Sequence, residues 1–157
     1  MTNDTAPRPF RIVRVLGYAG LLPQVVALVL FVGGGEWSWI ALAAGFAYAA
    51  LIFSFLGGVW WGQALALPRA PGWIYVAAIL PSLIALALFL PWTLGWRWPG
   101  PSMFWLGLLI LASPLVDRAI AAEGVGTPTG WLRLRWHLSI GLGLLTFVLG
   151  MLSLMNG

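Results

Sequence analysis

Asp117 is the only acid that the hydropathy pattern sets close to an apolar segment, and Arg14, Arg118, Arg133 and Arg135 are the cations within its reach at the same end of the chain. An ionisable group beside hydrocarbon is costly unless it is paired, so it marks either a functional group or an ion-pair lock between helix ends. Arg133 and Arg135 stand two positions apart and diverge on a helix, so only one of them can face Asp117. The spacing leaves open which. His137 is the only histidine; without further histidines or carboxylates it builds neither a metal nor a haem site, and reads as an interfacial side chain bonded to a carbonyl or a lipid. Gln24, Ser54, Ser82 and Ser113 are the other polar side chains inside apolar runs, and are expected to bond to backbone or to a neighbouring helix. No paired carboxylates, nucleophile–base set or phosphate-cradling loop can be assembled, which weighs against an enzyme. The chain has no cysteine, so thiolate ligands, disulfides and a cysteine nucleophile are excluded together. No catalytic residue, cofactor or metal is expected.

The elements that must hold these residues are membrane helices. Of 157 residues, 61% are hydrophobic and 8% charged, with a mean hydropathy of +0.96; a soluble domain carries roughly 25% charged residues. The eight basic residues are all arginine. They lie next to apolar runs, where they act as topology signals and headgroup contacts rather than as a nucleic-acid surface. Five runs are long enough to cross a hydrocarbon core, at about 12–32, 38–67, 73–92, 102–120 and 138–155. The fold class is therefore all-α: a short tail over 1–11, then one polytopic domain of five transmembrane helices over 12–157. The first run is too long for the apolar part of a signal peptide and ends in Gly33-Gly34-Gly35-Glu36, so it reads as a retained span. Pro81-Ser82 interrupts the third span, Ser113-Pro114 lies inside the fourth, and Thr93–Pro101 forms an interfacial loop. Seven arginines fall on the side of the N-terminus and only Arg97 on the other. By the positive-inside rule the N-terminus is cytoplasmic and the C-terminus outside, in a bacterial inner membrane.

The stretch Phe53–Gln63 carries three glycines and two tryptophans in about two helical turns. Gly57, Gly58 and Gly62 read as the helix-packing centre, Pro81 is a further helix-packing position, and Ala41, Gly45 and Ala49 extend the face at every fourth position. On this reading a bulky side chain at Gly58 does more damage than one at Gly150. A weak parallel repeat relates Leu21–Phe31 to Ile79–Phe89, with Pro23 matching Pro81; the simpler reading is two prolines that bend two helices.

Gly17–Pro23, Ser54–Gly62, Leu80–Leu83 and Leu132–Arg135, in that order, resemble the uncharacterised bacterial and mitochondrial membrane family that includes the animal transmembrane protein sixty-nine. The resemblance implies a membrane location and a helical fold, and brings no established reaction. At Trp60 it leads one to expect a histidine or arginine.

Trp61 and Gln63 end span two, Pro81-Ser82 lies in span three, and Asp117 ends span four. With Arg133 and Arg135 as a rim, these six positions (Trp61, Gln63, Ser82, Asp117, Arg133, Arg135) could border one cytoplasm-facing recess suited to an apolar molecule with a polar or anionic head. The partners expected are the lipid bilayer and either other membrane proteins or such a small molecule, with no nucleic acid. The leading expectation is an interaction or assembly factor for a membrane complex. A carrier or sensor of a quinone, lipid or porphyrin is the alternative, and a small transporter the third.

Overall fold

Long apolar runs with few backbone-breaking residues leave the chain one way to satisfy its amides in hydrocarbon, which is to wind into helices. The computed structural model describes residues 8–156, and side chains from residue 11 onward; most of the expected tail lies outside the described residues. The described residues form no strand. They wind into α1 (Arg8–Ala19), α2 (Leu22–Val32), α3 (Trp37–Leu65), α4 (Gly72–Thr93), α5 (Gly100–Ala122) and α6 (Trp131–Met155). Together α1 and α2 make one membrane-length span and the other four helices one each, five in all. The chain is a multi-pass membrane protein.

Two helix boundaries differ from expectation. The first span is broken at Gly20-Leu21, because Pro23 has no N–H and its ring excludes the carbonyl of the residue four before it. Helix α1 ends at Ala19, and at the break the Gly20 carbonyl accepts the Tyr48 hydroxyl of α3. The fifth span begins at Trp131 instead of near 138. Its arginines interrupt the apolar run without interrupting the helix, since Arg135 has its charge matched by Asp117, and the true stop is Gly130 at φ 86°.

The other prolines do not break their helices. Helix α4 runs through Pro81 and α5 through Pro114. In α5 the carbonyl that Pro114 cannot bond belongs to Ile110, and it accepts the Ser113 hydroxyl at 2.8 Å. The expected interruption of span three at Pro81-Ser82 is therefore absent. Pro23 and Pro81, matched in the sequence, behave differently.

Helix α3 is the central pillar: Ala49, Phe53, Leu56, Gly57, Trp60 and Ala64 are buried along one face. Helices α5 and α6 form the closest pair, backbone against backbone. A Cβ on Gly107 would lie 2.9 Å from the Gly143 oxygen, and one on Gly143 would lie 3.0 Å from the Gly107 oxygen. The α1–α2 span is the most peripheral, with 11% of its most apolar window buried against 44% for α3 and α5.

Candidate ligand site

The rotation of α3 decides which tryptophan meets the acid. Steps of four overshoot a 3.6-residue turn by about 40° each, so the face that starts at Ala41, Gly45 and Ala49 continues through Phe53 and Gly57 to Trp60, one residue short of Trp61. Trp60 is buried and its Nε1 donates to Asp117 Oδ1 at 2.8 Å. The other oxygen of Asp117 accepts from Arg135 Nε at 2.9 Å, and Arg135 Nη2 lies 2.8 Å from the same oxygen. That second approach engages one N–H of Nη2 at most, and leaves its other N–H without an acceptor. Asp117 is 2% exposed and Arg135 7%. Three helices are thus tied by one carboxylate. Where the resemblance leads one to expect histidine or arginine, Trp60 keeps an N–H donor aimed at the acid.

Deeper in the bundle two further polar pairs hold the helices. Gln24 Nε2 of α2 donates to Thr146 Oγ1 of α6 at 3.1 Å, and the Thr146 hydroxyl donates to the Leu142 carbonyl at 2.8 Å. Ser113 and Ser139 hydroxyls are 3.1 Å apart. The Ser113 hydrogen is already committed to Ile110, which leaves Ser139 as the donor between them.

Two crevices flank this framework. One, of about 550 Å³, lies between α1–α2, α3 and α6 and has Trp131, Arg135, Ser139 and Tyr48 among its walls. Its rim residues Leu16 and Phe55 are exposed on the lateral surface that faces lipid. The other, of about 530 Å³, lies between α3 and α4 towards the end opposite the arginine-rich one, lined by Trp39, Phe46, Phe89, Trp92 and Trp98 together with Ser54 and Ser82. Both fall in the volume range of small-molecule sites. The first alone contains a charged side chain. Among the described residues, no three histidine, aspartate or glutamate side chains come together to hold a metal.

Of the six residues expected around one recess, only Asp117 and Arg135 meet. Trp61 is exposed and packs edge-on against Tyr75, ring centroids 5.1 Å apart. Gln63 faces a separate pocket of about 370 Å³ closed by the Val125–Pro128 connection and Trp131. Ser82 belongs to the aromatic crevice, because α4 runs straight through Pro81. Arg133 is exposed, on a different face of α6 from Arg135. Of the helix-packing glycines, Gly57 touches a neighbour: a Cβ there would overlap the Ala78 carbonyl oxygen and lie 3.4 Å from Pro81 Cγ. Gly58 and Gly62 have nothing within 4 Å of an added Cβ, because they lie on the outward face with Trp61. The Nδ1 of His137 is 2.9 Å from the Tyr18 hydroxyl, linking α6 to α1. Sequence reasoning missed Trp60, Trp131, Ser139 and Thr146. For Trp60 the phase of the buried α3 face was the available signal.

Residues 9–151 match the model of a family described as Protein of unknown function (DUF3429). The curated protein "Transmembrane protein 69" of Xenopus tropicalis is 42% identical over 84 residues, which cover 51% of this chain and 32% of that protein. The chain therefore matches about a third of the length of that relative. No solved structure matches the chain.

Proposed function

The chain belongs to the family described as Protein of unknown function (DUF3429), and from that premise, which assigns no activity, we propose that it is a carrier or sensor that holds an apolar molecule with a polar head in the crevice between α1–α2, α3 and α6. One observation carries the reading: a crevice of about 550 Å³ on the lateral surface has a buried arginine in its wall. Apolar walls supply affinity for a molecule dissolved in the bilayer, and the few polar groups fix its orientation. The loosely held α1–α2 edge gives such a molecule a route in from the side. We place the arginine-rich end of the bundle on the cytoplasmic side, in keeping with the distribution of charge between loops.

The experiment is purification in a mild detergent followed by mass spectrometry of co-purifying lipids, quinones and proteins. A stoichiometric small molecule is expected, and Ile52→Trp, which fills the crevice without touching the Asp117 ion pair, should remove it. A stoichiometric protein with no small molecule would overturn the proposal in favour of the assembly-factor reading that composition alone favours.

A further inference from the structure

Resting on the reading just given, we infer that the head group held in this crevice is a neutral hydrogen-bond acceptor, a carbonyl oxygen such as that of an ester, amide or quinone, and not an anion. The argument begins with charge. Arg135 is the only charged residue in the crevice wall, and Asp117 already matches it one to one in the ion pair. A second anion would leave a net negative charge in a low-dielectric site, and an unbalanced buried charge is strongly unfavourable. Arg11, Arg14 and Arg133 are exposed and do not line the crevice.

The hydrogen-bond inventory then selects the kind of neutral group. Trp131 and Arg135 stand four positions apart on one face of α6, and both line the crevice. Each holds a buried N–H without an acceptor: Nε1 of Trp131, and the N–H of Arg135 Nη2 that is not taken up by Asp117. The two hydroxyls in the walls have their hydrogens committed, Tyr48 to the Gly20 carbonyl and Ser139 to Ser113. The site thus has donors to satisfy and no carboxylate of its own free to accept. A buried polar group without a partner is the exception in folded proteins and calls for one. A carbonyl oxygen supplies acceptor lone pairs and brings no charge, while its apolar remainder fills the channel between Leu16, Ile52, Phe55 and Leu138.

The test uses the full chain in detergent and equilibrium binding of four radiolabelled probes: methyl palmitate, ionised palmitate, hexadecane and a decyl-tailed benzoquinone. Methyl palmitate or the benzoquinone should bind at least about threefold more tightly than hexadecane and palmitate, a factor set by one or two net hydrogen bonds. Which of the two binds better tells an acyl-ester lipid from a quinone. Trp131→Phe keeps the ring and loses the N–H, and should reduce that preference about threefold. The paired change Asp117→Asn with Arg135→Met keeps the site neutral, leaves an acceptor for Trp60, and should reduce it similarly. Palmitate binding as tightly as its ester overturns the neutral-head inference, and so does a carbonyl preference that survives both variants; in either case the crevice itself stands as a site. If no probe binds, or if Ile52→Trp binds all four as the parent does, the proposed function falls together with the inference.

Discussion

The α5–α6 pair and the α1–α2 edge are built from similar sequence, glycine-punctuated and leucine-rich, yet they pack in opposite ways. At the α5–α6 contact, glycines face backbone: a Cβ added to Gly107 would lie 2.8 Å from Phe147 N, and one added to Gly150 would lie 2.9 Å from Phe104 N. At the α1–α2 edge they face the tip of a side chain: an added Cβ would lie 2.9 Å from Leu138 Cδ1 at Gly17 and 2.9 Å from Leu21 Cδ1 at Gly141. Backbone contacts fix a distance between helix axes, whereas leucine tips can swing aside. One side of the bundle is therefore rigid and filled, and the other is adjustable and carries the crevice. In a membrane, where lipid tails compete equally for apolar surface, this kind of close backbone fit is a main source of helix association.

The largest effect should come from the polar knot that ties α3 to the α5–α6 pair. Arg135→Met alone leaves Asp117 buried without its counter-ion, and should lower thermal stability in detergent by about 3–5 kcal/mol. Asp117→Asn alone should cost less. The long arginine stem lets its head reach towards the interface, whereas the short carboxylate has no such escape. Replacing both, Asp117→Asn with Arg135→Gln, should recover much of the loss, because no unpaired charge remains. Equal losses for both single variants and for the pair would show that the knot does not work as an ion pair.

Next comes a direct contrast between glycines. Gly143→Leu forces a side chain against Leu111 and the Gly107 oxygen, Gly150→Leu forces one against Phe104 N and the Gly100 oxygen, and each should destabilise by about 1–3 kcal/mol. Gly58→Leu projects into open space and should stay within about 0.5 kcal/mol of the parent, as surface changes do. This order reverses the expectation drawn from the density of glycine around residue 58. A loss at Gly58 equal to that at Gly150 would mean that the outward face of α3 is covered by something outside this chain.

That reversal shows what was legible. The five spans could be read because each is a long apolar run, and hydrophobicity needs no knowledge of neighbours. Asp117 stood out as the one acid near hydrocarbon. Its partner did not, because the choice between Arg133 and Arg135 depends on the rotation of α6, and that between Trp60 and Trp61 on accumulated phase along α3. An error of one residue is about 100° of rotation, enough to exchange the buried face carrying Gly57 and Trp60 for the outward one carrying Gly58, Trp61 and Gly62. The break at Gly20-Leu21 was hidden for another reason: hydropathy does not register which carbonyl a proline leaves free. The crevices arise from how far two helices stand apart, and no single stretch of sequence records that.

A smaller effect separates the two sides at equal distance. Gly107→Ala should destabilise measurably, since Phe147 N and the Gly143 oxygen cannot withdraw without moving a helix. Gly17→Ala meets a leucine methyl at a similar distance, and should be tolerated or slightly stabilising, because alanine reduces the freedom of the unfolded chain. Thermal unfolding of the two variants side by side decides it. If they lose stability equally, the α1–α2 edge is as rigid as the α5–α6 pair and has no room to adjust around a ligand.

The smallest expected change is at Tyr18. Its hydroxyl, 2.9 Å from His137 Nδ1, is the one side-chain hydrogen bond joining α1 to α6 among the described residues, and it is exposed. An exposed neutral bond that exchanges with competing partners contributes little net stability, about 0.5–1.5 kcal/mol at most. Tyr18→Phe should therefore leave the midpoint of global unfolding almost unmoved. Helix α1 should respond nonetheless, because it is the first element to open: it lies beyond the break at Gly20-Leu21 and is largely exposed along its described side chains. Local opening is limited by local contacts, so losing one of few counts for more there than in the whole. Hydrogen exchange should rise in α1 while the amides of α5 and α6 keep their protection. If exchange in α1 is unchanged, α1 is held by the Gly17–Leu138 contact and the Tyr48 hydroxyl at the break, and the mobile part of this edge is α2. If α5 and α6 lose protection too, the two sides of the bundle open together and the contrast between them fails.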